Sequence, residues 1–247
     1  MSALPVVLVR TGPQLTVADV RDVLTSYEAT TDYSALGQAK GQEETDASTF
    51  SNVDVPSFAR SILIQELPRL QFGKQLTSGQ KVDEIDRAVS AYRRIERRSG
   101  QEAAFALLSR TEFIGSEKGS PSPSADEVAI APLASGIDGL SLLFGINGAF
   151  PLWTARLEDV SMIGTDTARL SYTATPTPSV FDGKNPLTFK DPAMRYVEEL
   201  RFERTASGRW AIAAWPNFEA FRRRLESNVE PKEITTYGWG WWNNTSP

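Results

Sequence analysis

Histidine and cysteine are both absent from this chain of 247 residues. Histidine is the side chain whose ordinary pKa lies near neutrality, so it carries much general acid–base work and metal ligation. Cysteine supplies thiolate nucleophiles, soft metal ligands and disulfides. Their joint absence excludes Ser-His-Asp and Cys-His catalytic sites, the usual zinc sites, iron–sulfur clusters, and haem held by His or Cys. Disulfides are excluded too, although a Cys-free chain suits reducing and oxidising compartments alike. Carboxylate, Lys, Tyr or Ser/Thr chemistry remains, together with oxygen-ligand metals or no chemistry at all.

Further absences narrow the field. No apolar run approaches the roughly 20 residues needed to cross a bilayer, so the sequence reads as a soluble chain without a transmembrane segment. Met1–Arg10 holds a short apolar stretch, Leu4 to Val9, but no basic n-region, and no signal peptide is read there. The compartment is otherwise not written in the sequence. There is no Walker A loop, no Gly-x-Gly-x-x-Gly after a strand and no Gly-x-Ser-x-Gly elbow, so no cofactor is expected. Asp182 and Asp191 lie in a Pro-rich stretch without the Asp-x-Asp-x-Asp-Gly series of a calcium loop, and no metal is expected either. A net charge of −5 argues against a nucleic-acid partner, because phosphate neutralisation needs a basic surface.

The pattern of residues that are present predicts an α+β order. Leu4–Arg10 reads as a short strand. Thr16 caps a helix carrying Val17, Val20, Val23, Leu24 and Tyr27 at helical spacing. Thr30–Val55 is polar and acidic and reads as a long mobile loop; Asp19 to Asp54 holds eight acids against two bases. Pro56 opens a second helix. Val82 to Arg98 is the clearest helix, with Val82, Ile85, Val89 and Tyr92 on one stripe, and Ser99-Gly100 ends it. Glu102–Arg110 adds a further turn or two. The Ser/Pro-rich stretch 116–126 is read as a linker between a mainly helical region, 1–115, and a β-rich region, 127–228.

Beyond that linker the period changes from helical to alternating. Val128–Leu133 and Leu140–Ile146 are strand candidates, followed by strands within Phe150–Gly164, Thr165–Thr175, Met194–Thr205 and Arg209–Trp215. Ala206-Ser207-Gly208 makes the last hairpin turn. Phe218–Leu225 reads as a closing helix, and 229–247 as an aromatic C-terminal tail. The expected fold is therefore a helical N-terminal half with a curved antiparallel sheet in the C-terminal half.

Between Trp153 and Phe221 the sequence resembles the NTF2-like domains. The resemblance rests on LEDVSMIGTDTARLSYTA (Leu157–Ala174) and EELRFERTASGRWAIAAW (Glu198–Trp215). It implies helices packed into the concave face of a curved sheet. The family hosts enzymes, binding domains and assembly subunits, so the resemblance implies a shape and no single activity.

Three features carry functional expectations. The tail holds Tyr237, Trp239, Trp241 and Trp242; in an extended chain Tyr237, Trp239 and Trp241 share one face. Such aromatics anchor interfaces, stack on sugars, or fold back over their own core. Glu198 shares a strand face with Met194, Tyr196, Leu200 and Phe202. A carboxylate in such company has a raised pKa and serves as a general base or acid, with Tyr172 or Tyr196 nearby. Arg93, Arg94, Arg97 and Arg98, and Arg222, Arg223 and Arg224, form basic groups that read as solvated helix faces. The first expectation from these features is a non-catalytic structural or interaction subunit that binds a protein partner, or further copies of itself, through the tail. The alternatives are an NTF2-like isomerase or hydrolase of a small apolar ligand, using Glu198, Tyr172 and Tyr196, and a glycan-binding module using the tail.

Overall fold

The computed structural model describes residues 14–29, 52–69, 77–111, 122–137, 153–176 and 188–229. Among these the fold is α+β, with helices concentrated in the N-terminal half and an antiparallel sheet in the C-terminal half. The helices are α1 (Val17–Ala29), α2 (Val55–Glu66), α3 (Ser78–Ser99), α4 (Gln101–Thr111), α5 (Ala125–Ile130) and α6 (Phe218–Asn228). The strands are β1 (Trp153–Met162), β2 (Thr167–Pro176), β3 (Arg195–Arg204) and β4 (Trp210–Ala214).

Local chemistry accounts for the helix starts. Thr16 and Asp19 cap α1 reciprocally: the Thr16 hydroxyl accepts from Asp19 N–H, and the Asp19 carboxylate accepts from Thr16 N–H. Asp54 caps α2, with Pro56 in its first turn. Thr77 with Gln80, and Ser124 with Glu127, form complete capping boxes for α3 and α5. Gly100 ends α3 at φ +89°, donating its N–H to Glu96 O.

The Ser124–Glu127 box also corrects an expectation. Val128–Leu133 is not a strand but the end of α5 running into a 3₁₀ turn, Ala131–Leu133. Its apolar run suits either state. The cap, which satisfies orphan N–H groups at the helix start, tips the choice. The strand expected at Leu4–Arg10, the one at Leu140–Ile146 and the tail 230–247 lie outside the described residues.

The sheet runs β1-β2-β3-β4 in chain order, every pair antiparallel. Alternation sends Ala168, Leu170, Tyr172 and Ala174 of β2, and Tyr196, Glu198, Leu200 and Phe202 of β3, to a buried inner face. The opposite face carries ion pairs such as Arg169–Glu199 and Arg195–Glu158. A bulge at Glu158 shifts the β1 register, and Gly208, at φ +79°, makes the β3–β4 turn.

One hydrophobic cluster runs from Leu15 to Val229 and takes residues from both halves. The seam between them is partly backbone. Val53 bridges Ile212 of β4 in parallel, Asp54 N–H donates to Ile212 O, and Ile212 N–H donates to Asn52 O. The last residues of the expected acidic loop, Asn52 to Val55, therefore belong to the folded core; residues 30–51 lie outside the description. Among the described residues, no helix is long and apolar enough to cross a membrane.

Candidate functional site

The inner face of β2 and β3 places Glu198 opposite Leu170, one row along from the Tyr172–Tyr196 pair. Cross-strand partners share a face, so all four side chains point into the core. Glu198 is 0% exposed, and neither carboxylate oxygen has a hydrogen-bond partner among the described residues. Burial alone pushes its pKa from the ordinary carboxyl value of 4.5 to about 8. At neutral pH the group is therefore mostly protonated, yet it remains able to exchange that proton.

The two tyrosines differ in their bonding. Their rings stack with centroids 5.7 Å apart. Tyr196 Oη accepts a hydrogen bond from Asn228 Nδ2 at 2.7 Å. Tyr172 Oη is buried without a partner among the described residues, and burial with the nearby Glu198 carboxyl holds its pKa well above the ordinary tyrosine value.

Helix α6 closes this face. Phe221 lies 6.4 Å from Tyr172, 6.0 Å from Tyr196 and 4.8 Å from Trp215, measured between ring centroids. Asn217, just before the helix, accepts from Glu199 N–H and donates to Val197 O, so one amide brackets the backbone of Glu198. Asn228 at the far end binds Tyr196 Oη and the backbone of Asp191. Leu157 of β1, the cross-strand partner of Tyr172, is 37% exposed, whereas Tyr172 itself is buried.

A second ionisable group joins α6 to α2. Arg222 is 1% exposed, and its guanidinium donates to Glu219 and Glu226. Glu66 of α2 brings Oε1 within 3.2 Å of Arg222 Nε, but that N–H is directed to Glu219 and Glu66 Oε1 stays without a hydrogen bond. Burial, reinforced by the adjacent Glu219, pushes the Glu66 carboxyl upward. Arg69 approaches Glu219 and Glu226 from outside, at 3.6 and 3.7 Å.

This arrangement corrects the reading of Arg222 as part of a solvated basic face. Phe218, Phe221, Arg222 and Leu225 follow the i, i+3, i+4, i+7 spacing of a buried stripe, a signal the sequence carries. Arg93 likewise pairs with Asp54 and Glu96, and Arg98 with Asp126. A groove of about 680 Å³ between α3 and α5, lined by Asp83, Glu84, Arg87, Arg94, Val128 and Pro132 among others, contains no sheet residue. Tyr237, Trp239, Trp241 and Trp242 lie outside the described residues. Neither a family model, nor a curated protein, nor a solved structure matches the chain.

Proposed function

We propose that the inner face of the sheet is an acid–base site for a small, largely apolar ligand, with Glu198 as the proton-exchanging group. The chemistry is that of an isomerase or hydrolase on an NTF2-like frame. The observation that carries this reading is the Glu198 carboxyl, fully buried and without a hydrogen-bond partner among the described residues. Such a group costs folding free energy, and that cost is repeatedly found where a perturbed pKa serves a reaction. Tyr172, also buried and unpartnered, is a second polar contact for the ligand, and Tyr196 supports the wall beside it.

In the carboxylate form Glu198 abstracts a proton from carbon or activates water; in the acid form it returns one. The test is a turnover screen with small apolar ketones, epoxides and esters, each with and without an amino group. The expected result is turnover of one class by the unaltered chain and its loss in Glu198→Gln, with the circular dichroism spectrum unchanged. Normal turnover in the glutamine variant ends the proposal.

A further inference from the structure

Three buried polar atoms on the inner face lack a hydrogen-bond partner among the described residues: both carboxyl oxygens of Glu198 and Tyr172 Oη. The two residues are diagonal neighbours across β2 and β3, because Glu198 pairs with Leu170 and Tyr172 with Tyr196. Diagonal Cα atoms on one sheet face lie about 7–8 Å apart, which suits a small group held between the two side chains. No hydrogen bond joins Glu198 to Tyr172 directly.

Nothing described in the protein supplies the missing donor or countercharge. Tyr196 Oη is already engaged by Asn228. Arg222, next to Phe221 in α6, is the arginine buried in this region, but Glu219 and Glu226 take its N–H groups on the side facing α2. Around the acceptors stand aromatic rings: Tyr172, Tyr196 and Phe221 within 5.7–6.4 Å of one another, and Trp215 against Phe221.

We infer that the ligand of this site carries a protonated amine on an apolar body. This deepens the acid–base reading above and rests on it. A primary ammonium offers three N–H donors, enough for both oxygens of an ionised Glu198 and a lone pair of Tyr172 Oη. Its charge supplies the countercharge that Glu198 lacks, and aromatic faces favour a cation further. A neutral carbonyl or hydroxyl ligand can accept from the O–H groups of Tyr172 and protonated Glu198, but it brings no countercharge to an ionised Glu198. An anion adds a like charge.

The proton balance follows. A neutral amine takes the Glu198 proton: one O–H bond breaks, one N–H bond forms, and a carboxylate faces an ammonium. An amine that arrives protonated sends the Glu198 proton to water instead. Either way Glu198 stands as carboxylate in the complex, the form a general base needs.

The test uses the full chain and three probes: benzylamine, phenethylamine and hexylamine, each beside the alcohol of the same shape. Binding is measured by calorimetry at neutral pH while the ¹³C signal of the Glu198 carboxyl is followed. The expected result is at least one amine bound about tenfold or more tighter than its alcohol, with the carboxyl signal moving to the carboxylate position. Glu198→Gln removes the preference. Glu199→Gln, which alters a carboxylate on the opposite face, leaves it intact. A preference that survives Glu198→Gln, or falls equally in Glu199→Gln, overturns the inference. Alcohols that bind as tightly as amines, with Glu198 still protonated, overturn the amine and leave the ligand site standing. If no probe of either kind moves the Glu198 signal, the ligand site falls as well.

Discussion

Asn217 holds Glu199 as a neighbouring strand would, its Oδ1 accepting the Glu199 N–H at 2.7 Å. Its Nδ2 donates to Val197 O at 3.2 Å, so the chain on both sides of Glu198 is fixed by one side chain where β4 does not extend. Backbone groups inside a fold are expensive to leave unpaired. Asn217→Ala is therefore expected to cost about 2 kcal/mol in urea denaturation. Asn217→Asp keeps the acceptor for Glu199 and loses only the donor, so it costs less. Equal losses in the two variants would show that the hydrogen bond to Glu199 contributes nothing.

Stability is expected to fall as pH rises above the ordinary carboxyl range. Burial raises Glu198 from 4.5 in the unfolded chain to about 8 in the fold. The folded state holds this proton more tightly, so the contribution is complete below 4.5, shrinks as pH climbs, and is gone above about 8. Its size is on the order of 5 kcal/mol. Glu66 acts in the same direction, through burial and the neighbouring Glu219. Melting temperatures across this window should decline for the unaltered chain and decline much less for Glu198→Gln. Parallel curves for the two proteins would mean that Glu198 ionises without penalty.

Much of this arrangement was legible from period and punctuation. The alternation in β3 placed Glu198 and Tyr196 on one face, with Tyr172 expected nearby, and Gly100 and Gly208 marked the end of a helix and a turn. Val128–Leu133 is apolar enough for a strand, and the signal that decides for helix, Ser124-x-x-Glu127, was written in the sequence but outweighed by the apolar run. The bracketing of Glu198 by Asn217 was not legible: it joins residues whose relation depends on where β4 stops, and no local pattern encodes that. Arg222 repeats the first case. Its place on the Phe218–Leu225 stripe could be read, but three arginines in a row suggested a solvated face.

Arg222 is expected to be far more costly to remove than Arg223 or Arg224. It is buried, whereas those two are exposed, and it lies among three carboxylates, Glu66, Glu219 and Glu226. Arg222→Ala leaves these facing one another without their shared cation, a loss of roughly 3–5 kcal/mol. Adding Glu66→Gln removes one of the three charges and should recover part of that loss. A double-mutant cycle measures the coupling. Strict additivity would show that Glu66 and Arg222 do not sense each other.

Cutting the chain after Val229 separates the acid–base reading from assembly through Tyr237, Trp239, Trp241 and Trp242. Val229 bridges Phe189, and its N–H donates to Leu225 O, so the cut falls beyond the contacts that fix the end of α6. If Glu198 is the functional group, residues 1–229 should keep the fold, the same number of chains per particle as the full chain by light scattering, and the same decline in stability with pH. A full-length oligomer that becomes a monomer on truncation would instead make the tail an assembly element. Oligomerisation alone leaves the pH response of Glu198 untouched, because Glu198 is fully buried within the single chain. Loss of that response on truncation would mean that the tail also helps to seal the inner face, and the two readings would then describe one site.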